Sequence, residues 1–176
     1  GKSYSMLLLS RKVHRKIGGN FTFLMLTDRE DLDTQLYKTF AGCGVVNTDR
    51  DPCRASSGKH LSVLLRQQKK YIFSMIQKFN QRLEEHEAYT DRDDIIVITD
   101  EAHRTQYGTL ALNMRKALPN ANYLGFTGTP LLGLDIATAL TKEIFGEYIS
   151  KYDFDRAVKD GATVPLYYEN RGEKLK

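Results

Sequence analysis

The 176-residue sequence predicts an α/β fold on a mainly parallel sheet. Two observations carry that reading. Short apolar runs alternate with stretches whose apolar residues recur every three or four positions, the pattern of βαβ units. The run Ile95-Ile96-Val97-Ile98 is also apolar without alternation, as a strand covered on both faces requires. A hydrophobic content of 41% over this length suffices for one substantial core.

Taken in order, Met6, Leu9, Val13 and Ile17 at helical spacing predict an opening helix directly after Gly1-Lys2-Ser3. Phe21 to Thr27 predicts a strand, after which Asp28 is placed to cap a helix carrying Leu32, Leu36 and Phe40 on one face. Leu61, Leu64 and Leu65 mark a helix within Ser56 to Gln68, and Tyr71 to Ile76 the next strand. From Glu84 to Asp94 the chain is charged with no periodic apolar face, which predicts an exposed loop tolerant of insertion. Beyond the Ile95 strand, Leu110, Met114 and Leu118 predict a helix before Pro119, and Tyr123 to Phe126 a strand. Ile136, Leu140 and Ile144 predict a helix ended by Gly146. Asp153 is placed to cap a short one ended by Gly161, and Val164 to Glu169 reads as a last strand.

Bulk properties narrow the function classes. The formal net charge of +4 permits a polyanionic partner without requiring one, because the basic residues are scattered. Cys43 and Cys53 form no C-x-x-C pair and share no ligand spacing with the histidines, so free thiols are expected rather than a zinc site. No apolar run approaches the roughly 18 residues of a membrane span.

Three constellations carry chemistry. The strand ending in Asp100-Glu101-Ala102-His103 delivers two acids to the carboxyl edge of the sheet, where ligands of open α/β folds bind. Asp100 suits holding a Mg²⁺ ion on nucleotide phosphates, and Glu101 suits orienting or deprotonating a water. An Asp-Glu pair after a strand also suits capping of the following helix. Gly1-Lys2-Ser3 supplies the last three letters of the phosphate-binding G-x-x-x-x-G-K-[ST] pattern, opening a helix as that pattern needs. Lys2 would neutralise phosphate charge, Ser3 would offer a hydroxyl to Mg²⁺, and the backbone from Gly1 would face the phosphates. The chain is thus expected to begin inside that loop, as a piece of a longer protein. In Gly125-Phe126-Thr127-Gly128-Thr129-Pro130, two threonines flank a glycine at a strand end, a place for hydroxyls to bond the acid pair or, equally, for an ordinary Gly/Pro turn.

Gly-Lys-Ser, then Leu26 to Gln35, then the Asp-Glu-Ala-His box, then Gly125 to Pro130, in this order, resembles the first RecA-like motor domain of superfamily 2 helicases and translocases. Within it, residues 100–108, 125–131 and 145–171 are similar to the motor (R) subunit of type I restriction endonucleases. The resemblance implies a P-loop NTPase three-layer sandwich, truncated before the P-loop strand. Residues 1–150 would be the first motor domain, and 151–176 a family-specific extension towards the second. It implies ATP and Mg²⁺ as cofactors, with Lys2 and Ser3 at the triphosphate, Ser3 and Asp100 on the metal, and Glu101 at the hydrolytic water. His103 would also lie at the bound nucleotide, and with Thr127 and Thr129 it would couple nucleotide state to the DNA track and to the partner motor domain. Thr27, Asp28 and Arg29 match a first DNA-contacting motif, and Ser74 to Gln77 a second, although Arg29 also suits a solvated helix start. Arg104, Gln106 and Tyr107 belong to the family signature without an assigned role.

The partners so implied are double-stranded DNA, the methylation and specificity subunits, and the remainder of the R subunit with its nuclease and second motor domain. The location implied is the cytoplasm of a bacterium or archaeon. Cleavage would belong to the nuclease domain, since no Asp…Glu-x-Lys metal site is present in this sequence. This segment alone would be inactive. Two other readings stand beside it: another superfamily 2 DNA or RNA helicase, and a nucleic-acid-binding module with an incomplete nucleotide site.

Overall fold

Four apolar runs become four parallel strands, β1 (Thr22–Thr27), β2 (Tyr71–Met75), β3 (Ile95–Asp100) and β4 (Asn122–Phe126), in the order β2-β1-β3-β4. They belong to a computed structural model that describes residues 1–47, 52–80, 88–100, 107–128 and 142–165. Residues 1–146 form one compact unit and those from 147 onward a second.

Side chains of successive strand residues point to opposite faces, and the core divides accordingly. Phe23, Met25, Tyr71, Phe73 and Ile98 pack on one face against Met6 and Leu7 of α1 (Lys2–Lys16) and Leu36 and Phe40 of α2 (Glu30–Gly42). Leu24, Leu26, Ile72, Ile95 and Val97 pack on the other. Their partners are Leu61, Leu64 and Leu65 of α3 (Gly58–Arg66) and Ala111, Met114 and Ala117 of α4 (Tyr107–Ala117). Helices on both faces of an all-parallel sheet make the three-layer α/β architecture that the sequence predicts.

The two sheet edges are managed differently. Beside β2 the backbone of Cys53 to Ala55 adds a short bridge, with Phe73 N donating to Cys53 O at 2.7 Å and Ala55 N to Phe73 O at 2.9 Å. On the other side β4 is half exposed, whereas all of β1 is buried.

Several local expectations are corrected. The N-cap of α2 is Arg29, not Asp28, and the acids of its first turn are Glu30, Asp31 and Asp33. The inward face of α2 includes Asp33, while Leu32 is half-buried. Strand β1 starts at Thr22 and β2 ends at Met75, where Ile76–Phe79 forms a 3₁₀ turn. Residues 88–94 are no simple exposed loop. Tyr89 is buried, stacked on Phe79 at 5.7 Å. Arg92 donates to Leu65 O, Gln67 O, Thr22 Oγ1 and Asp94 Oδ1, all at 2.8–2.9 Å. Residues 84–87 lie outside the described residues.

The second unit contains α5 (Phe154–Lys159), whose first turn is capped by Asp153 accepting from Arg156 N at 2.9 Å, and which ends before Gly161 in the left-handed region at φ +70°. Val164 and Pro165 are in no strand; the rest of the expected final strand, and the helix positions Ile136 and Leu140, lie outside the described residues. Gly146, at φ +76°, ends the helical turn 142–145 as expected. Among the described residues no helix is long and apolar enough to cross a membrane.

Candidate active site

Parallel strands present all their carboxyl ends at one edge, and there the sequence concentrates its polar residues. Asp100 closes β3 opposite Phe126 of β4. The start of α1 reaches the same place. Lys2 Nζ lies 2.9 Å from Asp100 Oδ1, with the side chains 33% and 13% exposed. Gly1 is the helix N-cap, its carbonyl accepting from Tyr4 N and Ser5 N, and Ser3 sits half-buried in the first turn. Residues separated by almost a hundred positions thus bring a cation and a carboxylate together at a helix N-terminus whose first turn also carries the Ser3 hydroxyl.

The donor set fits Mg²⁺ with a phosphate ligand. Carboxylate and hydroxyl are the hard oxygens that Mg²⁺ prefers, and it commonly takes only one or two from protein, with water and phosphate completing its shell. The Lys2–Asp100 pair also keeps each charge neutralised when neither phosphate nor metal is present.

A second polar group forms at the ends of β1 and β2, where Thr27 stands level with Met75. Thr27 Oγ1 donates to Arg29 O at 3.2 Å, Gln77 Nε2 donates to Asp28 O at 2.6 Å, and Ser74 Oγ donates to Met75 O at 3.2 Å. Thr27 and Ser74 are buried, and Gln77 turns inward with Oε1 buried and lacking a hydrogen-bond partner among the described residues. Arg29 faces outward, 52% exposed, with a loose 3.6 Å contact to Asp31. An exposed pair of that kind contributes little stability, so the guanidinium remains able to meet another anion.

Thr127 follows β4 and is half-buried. Glu101, His103, Arg104, Gln106 and Thr129 lie outside the described residues, as does the side chain of Tyr107. One polar side chain near the site escaped the sequence reading: Asn113 of α4, whose Nδ2 donates to Phe79 O at 2.9 Å. Its neighbours Leu112 and Met114 define helical periodicity, and nothing in that pattern marks an amide that reaches another element.

The SWI2/SNF2 ATPase family model matches residues 1–176. The chain belongs to the SWI2/SNF2 ATPase family. This SWI2/SNF2 domain is 45% identical over 175 residues to the protein named as the type I restriction enzyme MjaIXP endonuclease subunit of Methanocaldococcus jannaschii, covering 97% of this chain and 16% of that protein. It is 39% identical over 187 residues to the type I restriction enzyme HindI endonuclease subunit of Haemophilus influenzae, covering 97% and 17%. With the SsaAORF53P endonuclease subunit of Staphylococcus saprophyticus the identity is 30% over 143 residues, covering 78% and 15%. The chain therefore spans about one-sixth of the length of these relatives. The resemblance read from residues 100–108, 125–131 and 145–171 is borne out. Membership of an ATPase family makes ATP the nucleotide this fold uses.

Proposed function

We propose that this domain is the ATP-hydrolysing first motor domain of a type I restriction enzyme R subunit, driving translocation of duplex DNA ahead of cleavage by a nuclease domain elsewhere in the protein. The observation that carries the reading is the 2.9 Å pair between Lys2 Nζ and Asp100 Oδ1 at the carboxyl edge of the sheet.

In this reading Lys2 would hold the β/γ-phosphates of ATP and Asp100 would hold the metal. Ser3 contributes its hydroxyl beside it, and the N–H groups opening α1 face the phosphates. When bound, Mg²⁺ supplies neutralisation of the phosphate charge that builds towards the transition state. Glu101 holds the attacking water and accepts its proton, and His103 with Thr127 and Thr129 links the nucleotide to the track. Arg29 contacts a DNA phosphate. Thr27, Asp28, Ser74 and Gln77 shape the surface that receives the backbone, with Gln77 holding the two loops together. Residues 1–150 make up the motor domain and 151–176 the extension towards a second one. The methylation and specificity subunits hold the recognition site while DNA is pulled.

The test is ATP hydrolysis and triplex displacement by the full-length protein assembled with its methylation and specificity partners. Hydrolysis stimulated by duplex DNA, with ATP-dependent displacement of the third strand, is expected. Hydrolysis indifferent to DNA, with no displacement, would reject the translocase reading.

A further inference from the structure

The nucleotide edge and the track-facing loops lie on the same sheet, and the side-chain amides of Asn113 and Gln77 bond between neighbouring elements there. Helix α4 is the next described element after the strand that ends on Asp100, beginning seven positions later in the sequence. Ala111, Met114 and Ala117 are buried in the core with the strand side chains Leu24, Ile72 and Val97, so α4 is closely packed along its length. From its half-buried flank Asn113 donates to Phe79 O at 2.9 Å, the last carbonyl of the Ile76–Phe79 turn. A 3₁₀ turn leaves such terminal carbonyls without an internal partner, so this acceptor is free to be claimed by a neighbouring element.

The turn itself is stiff. Ile76 and Phe79 are each 1% exposed, and Tyr89 stacks on the Phe79 ring. Between them Gln77 donates to Asp28 O at 2.6 Å, and Thr27 Oγ1 donates to Arg29 O in the same loop. A second tether, Lys78 Nζ to Ser56 O at 2.8 Å, holds the far side of the turn to the residues before α3 and gives it a pivot. Two amide hydrogen bonds in series therefore run from α4 to the loop that carries Arg29.

We propose that Asn113 is a positioning residue that, through the Phe79 carbonyl and Gln77, ties the α4 helix to the Thr27–Arg29 loop and so transmits nucleotide state to the DNA-contacting surface. The proposal rests on the motor reading above. In this role Asn113 acts through the Phe79 carbonyl rather than on nucleotide or DNA directly. Its amide acts by making the turn follow α4, and a carboxylate in its place would meet the Phe79 carbonyl with a second acceptor.

The test uses the full-length protein with Asn113→Ala, the near-isosteric Asn113→Asp, Gln77→Ala and the double variant Asn113→Ala/Gln77→Ala. Hydrolysis without DNA, stimulation by duplex DNA, and base pairs moved per ATP are the readouts. Both Asn113 variants should keep DNA-free hydrolysis and the KM for ATP within about twofold while DNA stimulation falls roughly 2- to 30-fold, the range of coupling energies for residues of this kind. The double variant should be no worse than the poorer single one, because links in series fail together. Unchanged stimulation in cooperatively folded Asn113→Asp would overturn the proposal. So would an equal fall with and without DNA, which a merely structural amide predicts, or losses that multiply in the double variant. A wild type that DNA does not stimulate would instead overturn the motor reading, and the link with it.

Discussion

Removing the Arg54 side chain should loosen one edge of the sheet by an amount that the structure sets. The Asp33 carboxylate is 8% exposed and receives Arg54 Nε at 3.2 Å and Nη2 at 2.5 Å, both on Oδ2; Arg54 also reaches Thr34 Oγ1 and lies 5.1 Å from the Tyr37 ring centre. Deleting one partner of a fully buried pair costs about 3–5 kcal/mol, because the other charge is stranded. Arg54 is 39% exposed, so solvent screening lowers the figure to about 2 kcal/mol. At about 1.4 kcal/mol per factor of ten, Arg54→Ala should raise local opening roughly 30-fold. The affected amides are Phe73 and Ala55, which pair the Cys53–Ala55 bridge with β2, together with the first turns of α2. Hydrogen exchange of the full-length protein, read by mass spectrometry on peptides covering residues 30–42, 52–55 and 71–75, measures this directly. Adding Asp33→Leu removes the stranded charge and should recover protection to within about 1 kcal/mol. Acceleration below about threefold, or no recovery in the double variant, would refute the reasoning.

Three further outcomes follow from other contacts. Tyr89→Phe deletes a hydroxyl that is buried without a hydrogen-bond partner among the described residues, so thermal unfolding should be unchanged or up to about 1 kcal/mol more favourable to the fold; a clear loss of stability would show that the hydroxyl is satisfied after all. The Arg92 guanidinium holds the Asp94 carboxyl below its ordinary pKa, so its stabilisation is complete above the unfolded value near 4 and disappears as pH falls through the depressed folded value. Asp94→Asn should therefore destabilise at pH 7 and differ progressively less from wild type as acid is added; a pH-independent difference would contradict the assignment. Replacing Thr127 and Thr129 together by Ala should leave Mg²⁺-ATP binding intact while lowering base pairs moved per ATP, and an unchanged ratio would return the segment to an ordinary turn.

The strands were legible because each is a short local apolar run, and α3 and α4 because their buried sets repeat within one or two turns; of the set expected for α1 only Met6 is fully buried, Leu9 and Val13 are half-buried, and Ile17 is the exposed C-cap. Lys2 and Asp100 were legible as partners because phosphate chemistry requires both, although their 2.9 Å approach depends on how β3 and α1 pack. What local pattern could not disclose is contact across the fold. Asp33 and Arg54 are 21 positions apart, and Arg92 and Thr22 are 70 apart. A charged residue in such a pair reads as surface until its partner is known, which is why residues 88–94 read as an exposed loop. Asn113 escaped for the same reason. The cap of α2 was misplaced by one residue because Asp28 and Arg29 are adjacent and only the extended backbone of Arg29, at φ −137° and ψ 150°, identifies the boundary.

The central claim is that Lys2 and Asp100 together form the Mg²⁺-ATP site. Calorimetric titration of Mg²⁺-ATP into the full-length protein and its Lys2→Ala variant tests it most directly. A charge-assisted hydrogen bond to phosphate contributes about 1.5–3 kcal/mol, so Lys2→Ala should weaken binding roughly 10- to 100-fold, and Asp100→Ala should weaken it only when Mg²⁺ is present. Equal affinity of wild type and Lys2→Ala would contradict the account and place the nucleotide elsewhere.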